Sequence, residues 1–366
     1  MTPETLAEES APTETVDLLS LPPEDLRNEV GAWMDAEGEP SFRTEQVENW
    51  VFEQKARSFE EMTTLPEGLR ERMARRFSLT PLEAAWTARS EDGTVKHLWA
   101  LEGGERVESV LIPTADRLTL CLSSQAGCAL ACRFCATGSM GFHGQLSPAQ
   151  IAAQFRDAAR FAEKEMGREV TNVVYMGQGE PMANRDAVFR SLEVLHEGFG
   201  IGARRITVST VGLVPGILAL AERPEQFELA VSLHAPVSEV RAELMPVERR
   251  FPLPELMDAI RTYQEEKGRR VSIEYTLIDG INDSDEMARK LADRLEGLDC
   301  FVNLIPWNPI PDRDWSPSPR ERIAGFARAL HRAGVSNAVR EPRGRDIAAA
   351  CGQLRLEEGG EDGGGG

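Results

Sequence analysis

Apolar residues recur at three- and four-residue steps in the first part of the chain: Val30, Trp33 and Met34, then Val47, Trp50 and Val51, then Leu69, Met73 and Phe77. This spacing predicts a small helical module over residues 26–84. From about Ala85 to Pro113 the pattern changes to alternation and ends in Val107-Glu108-Ser109-Val110-Leu111-Ile112, which predicts a short β extension over 85–117. From Leu118 onward, short runs rich in β-branched residues alternate with longer amphipathic stretches, the pattern of βα units on a parallel sheet. Strands are predicted at 118–122, 170–176, 206–209, 229–233, 271–277 and 301–305. Two of the helices between them start with capping-box pairs, Ser147 with Gln150 and Ser318 with Glu321, the second with Pro319 at the first helical position.

Six successive βα units predict an α/β fold over 118–356, either an open doubly wound sheet or a partial (β/α)6 barrel. Both place ligands at the carboxyl ends of the strands. The small and polar residues just beyond the predicted strands are Cys128 to Cys135, Gly177-Gln178-Gly179-Glu180, Ser209 to Gly212, Ser232-Leu233-His234 and Asn308. All fall at the same ends, so together they describe one rim. Taken singly, Gly179 is a turn former, Ser232 and His234 are ordinary core polar groups, and Asn308 before Pro309 is a turn residue.

Residues 1–25 carry seven acidic residues and no Lys or Arg, and residues 357–366 carry four acids and no base. Both segments lack apolar periodicity and are expected to be disordered tails. They supply −11 of the formal charge of −19, which changes the reading of the total. Phosphate neutralisation dominates RNA binding, and the body of the chain is far less acidic than the whole. Basic clusters stand at Arg70, Arg72, Arg75 and Arg76, at Arg204 and Arg205, at Arg249 and Arg250, and at Arg340, Arg343 and Arg345. Each alone is more simply a solvated face. No apolar run approaches bilayer length, and the acidic start has neither the basic nor the apolar part of a secretory signal. The expectation is a cytoplasmic protein with no membrane partner.

Four of the six cysteines, Cys121, Cys128, Cys132 and Cys135, lie within fifteen residues. In a reducing compartment such clustering points to metal ligation or catalysis rather than disulfides. Cys128-Ala-Leu-Ala-Cys132-Arg-Phe-Cys135 offers three thiolates on one loop, and an iron–sulfur cubane held by three protein thiolates keeps one iron open. Structural zinc competes as a reading but wants a fourth protein ligand, for which His143 is available.

The Cys-x-x-x-Cys-x-x-Cys motif with an aromatic before its last cysteine resembles the radical S-adenosylmethionine (SAM) enzymes. The resemblance implies a [4Fe–4S] cluster on Cys128, Cys132 and Cys135, with SAM on the open iron and one-electron cleavage to a 5′-deoxyadenosyl radical. It also implies cofactor contacts from Gly179, Glu180, Ser209, Ser232, Leu233, His234 and Asn308. Cys121 in Thr-Leu-Cys-Leu-Ser-Ser-Gln, Cys351 in Arg-Asp-Ile-Ala-Ala-Ala-Cys-Gly-Gln-Leu, and the Ser41-Phe-Arg-Thr-Glu-Gln46 and Met62-Thr-Thr-Leu-Pro66 runs narrow it. Over residues 26–356 the chain is similar to the RlmN and Cfr group of RNA adenine methyltransferases, and closer to RlmN.

That narrower resemblance implies a radical SAM partial barrel with an N-terminal RNA-binding module. It implies that Cys351 carries a methyl group from one SAM while a second SAM supplies the radical, that Cys121 resolves the protein–RNA adduct, and that Glu108 or Cys121 takes the ring proton. The implied substrates are adenosine 2503 of 23S rRNA and adenosine 37 of tRNA, methylated at C2. The implied electron donor is of the flavodoxin kind. Three readings remain beside it: C8 methylation as in Cfr, another radical SAM reaction such as methylthiolation, and a non-catalytic iron–sulfur or zinc module that binds RNA.

Overall fold

Three amphipathic helices come first in the chain, and a computed structural model describes residues 15–311 and 313–354. A short strand β1 (Val16–Asp17) leads into a helical turn that Asp17 caps by accepting from Leu19 N. Helices α1 (Pro23–Ala36), α2 (Phe42–Phe52) and α3 (Glu67–Arg76) follow, and β2 (Phe77–Ser78) pairs in parallel with β1. Leu26, Val30 and Met34 of α1 face Val47 and Val51 of α2 and Leu69 and Met73 of α3 in a continuous apolar cluster. The expectation of disorder over 1–25 is therefore corrected for 15–25: Leu18 and Leu19 are fully buried, and Asp17 bonds to Ser78 and Thr80. The apolar pair Leu18-Leu19 sits inside an acidic stretch, which hid it from a reading by composition. The tails expected at 1–14 and 357–366 lie outside the described residues.

Next come β3 (Glu83–Arg89), β4 (Val95–Ala100) and β5 (Arg106–Pro113), an antiparallel meander, and then β6 (Leu118–Cys121). A hairpin of β7 (Gln125–Gly127) and β8 (Phe142–Gln145) brackets the cysteine loop and the short helix α4 (Ala136–Ser139). The rest alternates α5 (Pro148–Phe161), β9 (Asn172–Tyr175), α6 (Arg185–Glu193), β10 (Ile206–Thr210), α7 (Val214–Glu222), β11 (Glu228–Ser232), α8 (Ser238–Leu244), α9 (Leu253–Lys267), β12 (Val271–Leu277), α10 (Asp285–Arg294), β13 (Cys300–Pro306), α11 (Arg320–Arg332) and β14 (Ser336–Val339).

One ten-stranded sheet runs β14-β13-β12-β11-β10-β9-β6-β5-β4-β3. The segment from β6 to β14 is parallel, and among the described residues β6 and β14 do not pair with each other, so it is an open, partial barrel of six βα units plus a seventh parallel strand. The β extension is not a separate layer: β5 pairs with β6 and continues the barrel sheet. All six predicted strands form. β14 was not predicted, because it is an exposed edge strand with Ser336 and Asn337 in place of an apolar run. Ser147 and Gln150 form the predicted capping box. The one at Ser318 does not form: α11 starts at Arg320 with no side-chain cap, and Ser318 is buried.

The helical module is locked to the barrel by a fully buried arginine. Arg156 of α5 is held by Asp157 and donates to the carbonyls of Leu79 and Thr80 at 2.5 and 3.1 Å. Asp157 in turn accepts from Leu82 N and pairs with Arg57. A charged group can be buried here because every donor finds an oxygen.

Candidate active site

A cleft opens at the carboxyl ends of the parallel strands. Cys128, Cys132 and Cys135 line it together. Gly127 lets their loop leave the hairpin: its φ is +72°, and a β-carbon there would lie 2.1 Å from the carbonyl oxygen of Gly141. Gly138 of α4 packs as closely, with room for no side chain beside the Cys132 backbone. Arg133 N donates to Leu244 O, and Trp307 Nε1 donates to Phe134 O, so neighbouring loops hold the turn from both sides. Burial pushes the Cys128 thiol up to about 11 and holds the Cys132 thiol well above its ordinary value. Unligated, these sulfurs stay protonated, whereas a bound cation would take them as thiolates. Three thiols on one cleft wall are the donor set that a cubane with one open iron would need, although among the described residues no three such groups are drawn together round a single metal ion. The candidate fourth zinc ligand is elsewhere: His143 bonds to Met140 O and lines a separate groove with Gly103 to Arg106.

Gly179, Glu180, Ser209, Ser232, His234 and Asn308 also line the cleft. Gly179 sits at φ +93°, and a β-carbon would come within 2.5 Å of Gln125. Glu180 is buried and accepts from Met182 N at 3.0 Å and Val211 N at 2.9 Å. Burial pushes its carboxyl up to about 7 against these bonds. His234 has φ +55°, and its Nδ1 accepts from Thr276 N at 3.0 Å, which leaves the proton on Nε2. Burial, with Arg241 adding, brings its pKa down to about 3. The side chain of Leu233 is fully buried in the barrel core and absent from the cleft wall, so a cofactor contact at this position would be through its backbone. On a strand, neighbours point to opposite faces, so Ser232 and Leu233 cannot both look into the cleft.

Cys351 lies on the same wall, on an irregular segment that crosses the cleft mouth. Asn308 Nδ2 donates to Cys351 O at 3.1 Å, Ala136 N to Gly352 O at 2.7 Å, and Thr137 Oγ1 to Leu354 O at 2.8 Å. The segment is thereby pinned to the cysteine loop itself. Cys351 is solvent-accessible from the cleft, yet protein surrounds it. Burial and then Glu274 raise its pKa, while Arg340 opposes them. Cys121 is buried at the end of β6, in a cluster with Val110, Ala349 and Leu354. Burial and the nearby Cys351 push it up to about 12. Glu108 is not on the cleft wall. It is fully buried on β5 and ion-paired with Lys96 at 2.8 Å.

Residues 122–292 match the Radical SAM superfamily, and residues 16–79 match the ribosomal RNA large subunit methyltransferase N-terminal domain. A protein of Gemmatimonas aurantiaca called a probable dual-specificity RNA methyltransferase RlmN is 48% identical, across 93% of both chains. This chain belongs to the RlmN family. A Bacillus subtilis protein of the same description is 42% identical over 90% of this chain and 92% of its own. The crystal structure of a radical SAM methyltransferase from Sphaerobacter thermophilus superposes with a TM-score of 0.89 at 47% identity, covering 93% of this chain and all of that one. As a radical SAM RNA methyltransferase of the RlmN family, the chain is of a kind that uses a [4Fe–4S] cluster and SAM.

Within this RlmN-family barrel, sequence reasoning missed Glu274, Thr276 and Trp307, all on the cleft wall. Glu274 had a signal: it is the one acid in the otherwise apolar and neutral run of β12, where a carboxylate needs a partner. It finds Asn303 Nδ2 at 2.7 Å, and Asn303 is held by Arg340. The basic cluster of α3 is partly spent inside its own module, with Arg72 paired to Glu37 and Glu39 and Arg76 paired to Glu29. Among the described residues no helix is long and apolar enough to cross a membrane.

Proposed function

We propose that the chain methylates C2 of an adenine in unpaired RNA, adenosine 2503 of 23S rRNA and adenosine 37 of tRNA, through a methyl group carried on Cys351 and at the expense of two SAM molecules per turnover. One observation carries this reading: Cys351 shares a cleft wall with Cys128, Cys132 and Cys135, and Cys121 packs against the segment that bears it. A cluster enzyme that only cleaves SAM needs neither extra sulfur.

Cys128, Cys132 and Cys135 would hold the cluster, and Glu180 would face the amino group of SAM beside Gly179, Ser209, Ser232, His234 and Asn308. Bound there, cluster and SAM supply a transferable methyl group and, on reduction by a flavodoxin-like donor, a carbon radical that abstracts hydrogen. Cys351 supplies the thiolate that takes the methyl, the nucleophilic form of the side chain. Its place at the cleft mouth lets an extruded base approach the carried carbon, and extrusion is cheapest from a loop. Once the carried carbon, short of one hydrogen, has bonded to C2 of the ring, the adduct would give up its C2 proton to a base and one electron to the bound cluster, and Cys121 as thiolate then attacks the Cys351 sulfur. The bond from sulfur to the bridging carbon breaks, its electron pair stays on carbon with a proton, and the two sulfurs are left as a disulfide. Of the two candidates for the ring proton, Cys121 adjoins the Cys351 segment, whereas Glu108 is enclosed and paired to Lys96.

The division into an RNA-binding module over 26–84, a β extension over 85–117 and a barrel over 118–356, in the cytoplasm, belongs to the same proposal. Mass spectrometry of nucleosides from RNA treated with the anaerobically reconstituted protein tests it. The expected product is 2-methyladenosine; 8-methyladenosine, or no methylation, would overturn the reading.

A further inference from the structure

Lysine is among the residues least often found fully buried, yet Lys96 of β4 is 1% exposed. Its Nζ lies 2.8 Å from Glu108 Oε1 and donates to the carbonyl oxygen of Ala348 at 3.3 Å. Behind it, Gln178 Nε2 donates to Glu108 Oε2, Gln178 Oε1 accepts from Glu108 N, and Ser123 Oγ both donates to Glu108 O and accepts from Gln178 N. Gln178 belongs to the loop of Gly177 to Glu180 on the cleft wall. One buried charge thus joins the sheet, the cleft loop and the segment that carries Cys351.

The contact falls at a pivot. Ala348 has a left-handed backbone, φ +49°, which a residue with a β-carbon holds only when its surroundings enforce it. Beyond it, Gly352 is also left-handed at φ +81°. The hydrogen bonds that attach 351–354 to the rest of the chain, at Asn308, Ala136, Thr137 and Pro309, join neutral groups and are backed by the burial of Leu354 beside Val110 and Cys121; each of these bonds is weaker than a bond from an ammonium.

We propose that Lys96 is a positioning residue that fixes the base of the Cys351 loop at the Ala348 carbonyl, with Glu108 as its counter-ion, so that the part beyond Ala348 can turn between the cleft and Cys121. The proposal rests on the role given to Cys351 above. It assigns Glu108 to holding Lys96 rather than to taking a proton from substrate. Glu108 holds the Lys96 side chain in place where water does not reach. Gly344 N donates to Asp92, Ser90 Oγ and Glu91 N donate to Asp346, and Arg345 donates to Asn308, so 344–346 are tied down separately; without the ammonium the loop loses its hold at Ala348, the one next to the Cys351 segment, and the two sulfurs meet less often.

The test uses the full chain with its cluster reconstituted, and compares Lys96→Met, Lys96→Arg, Glu108→Gln and the double variant Lys96→Met with Glu108→Gln. The double variant removes both charges together, so no unpaired ion is left in the sheet. Hydrogen exchange of the amides of 346–354, measured without RNA or SAM, should rise roughly tenfold or more in Lys96→Met, Glu108→Gln and the double variant. Exchange in the parallel strands and the cluster absorption should stay as in the unaltered protein. Equilibration with glutathione should show less Cys121–Cys351 disulfide at a given redox poise, and Lys96→Arg should recover part of both effects. Unaltered loop exchange in the double variant would overturn the proposal. So would a Glu108→Gln protein whose loop and disulfide behave normally while RNA methylation alone is lost, since Glu108 would then act on substrate. Because exchange is read with neither RNA nor SAM present, it can fail while the methylation reading stands, and the reverse.

Discussion

Gly179 shows how tightly single residues are constrained around the cleft. Gly179→Ala combines a left-handed backbone with a β-carbon 2.5 Å from Gln125, so it should destabilise the fold by about 1–3 kcal/mol and weaken SAM binding, as read by thermal melts and calorimetry. Protonation is a second handle. The folded pKa of His234, about 3, lies below its unfolded value of about 6.5, so its neutral ring contributes stability that is present above pH 6.5 and lost as pH falls towards 3. Glu180 has the opposite sign: raised to about 7, it favours the fold below pH 4.5 and loses that contribution as pH rises through 7. Denaturant melts of His234→Asn should therefore lose stability less steeply than the parent between pH 6.5 and 4. An unchanged slope would mean that the ring does not titrate as its burial implies. The cluster cysteines, Glu180, Ser232 and Asn308 were legible at this scale because spacing and strand ends marked them. The burial of the Leu233 side chain was not legible because spacing does not say which way a side chain points, and Glu274 was passed over because its partners, Asn303 and Arg340, lie on or beyond other strands.

At the scale of elements, the parallel strands were legible wherever both faces are covered, since an apolar run such as Val271 to Leu277 has few other uses. β14 escaped for the converse reason, and so did residues 15–25, whose two buried leucines are outnumbered by acids. What no local pattern carried is the joint between helical module and barrel. Arg156 and Asp157 look like a solvated pair on α5, and only the fold shows that they fasten residues from 56 to 82. Arg156→Met removes the donor to the Leu79 and Thr80 carbonyls and leaves Asp157 with less compensation, so the cost should be about 3–5 kcal/mol. Chemical denaturation should show the loss directly, and a midpoint unmoved from the parent would argue that the joint holds without it.

Charge is a property of the whole molecule, and here its placement matters more than its sum of −19. Arg72 and Arg76 are matched by acids of their own module, so they have little left for phosphate. Arg249 and Arg250 are exposed and follow β11 on the side where the strands end and the cleft opens, whereas Arg204 and Arg205 are exposed just before β10, at its far end. Charge reversal at Arg249 and Arg250 should weaken RNA binding and flatten its salt dependence more than the same change at Arg204 and Arg205. Equal effects in a salt titration would place the RNA elsewhere.

The methyl carrier is tested most directly by a chase. Protein whose Cys351 has been methylated during expression is mixed anaerobically with RNA, reductant and SAM bearing a deuterated methyl group, and the first turnover is analysed by mass spectrometry. The account predicts that the RNA first receives the unlabelled carbon already present on Cys351, with label arriving only in later turnovers, and that Cys351→Ala gives no methylated RNA. Label in the first product would contradict it, because the methyl would then have reached the base without passing through Cys351.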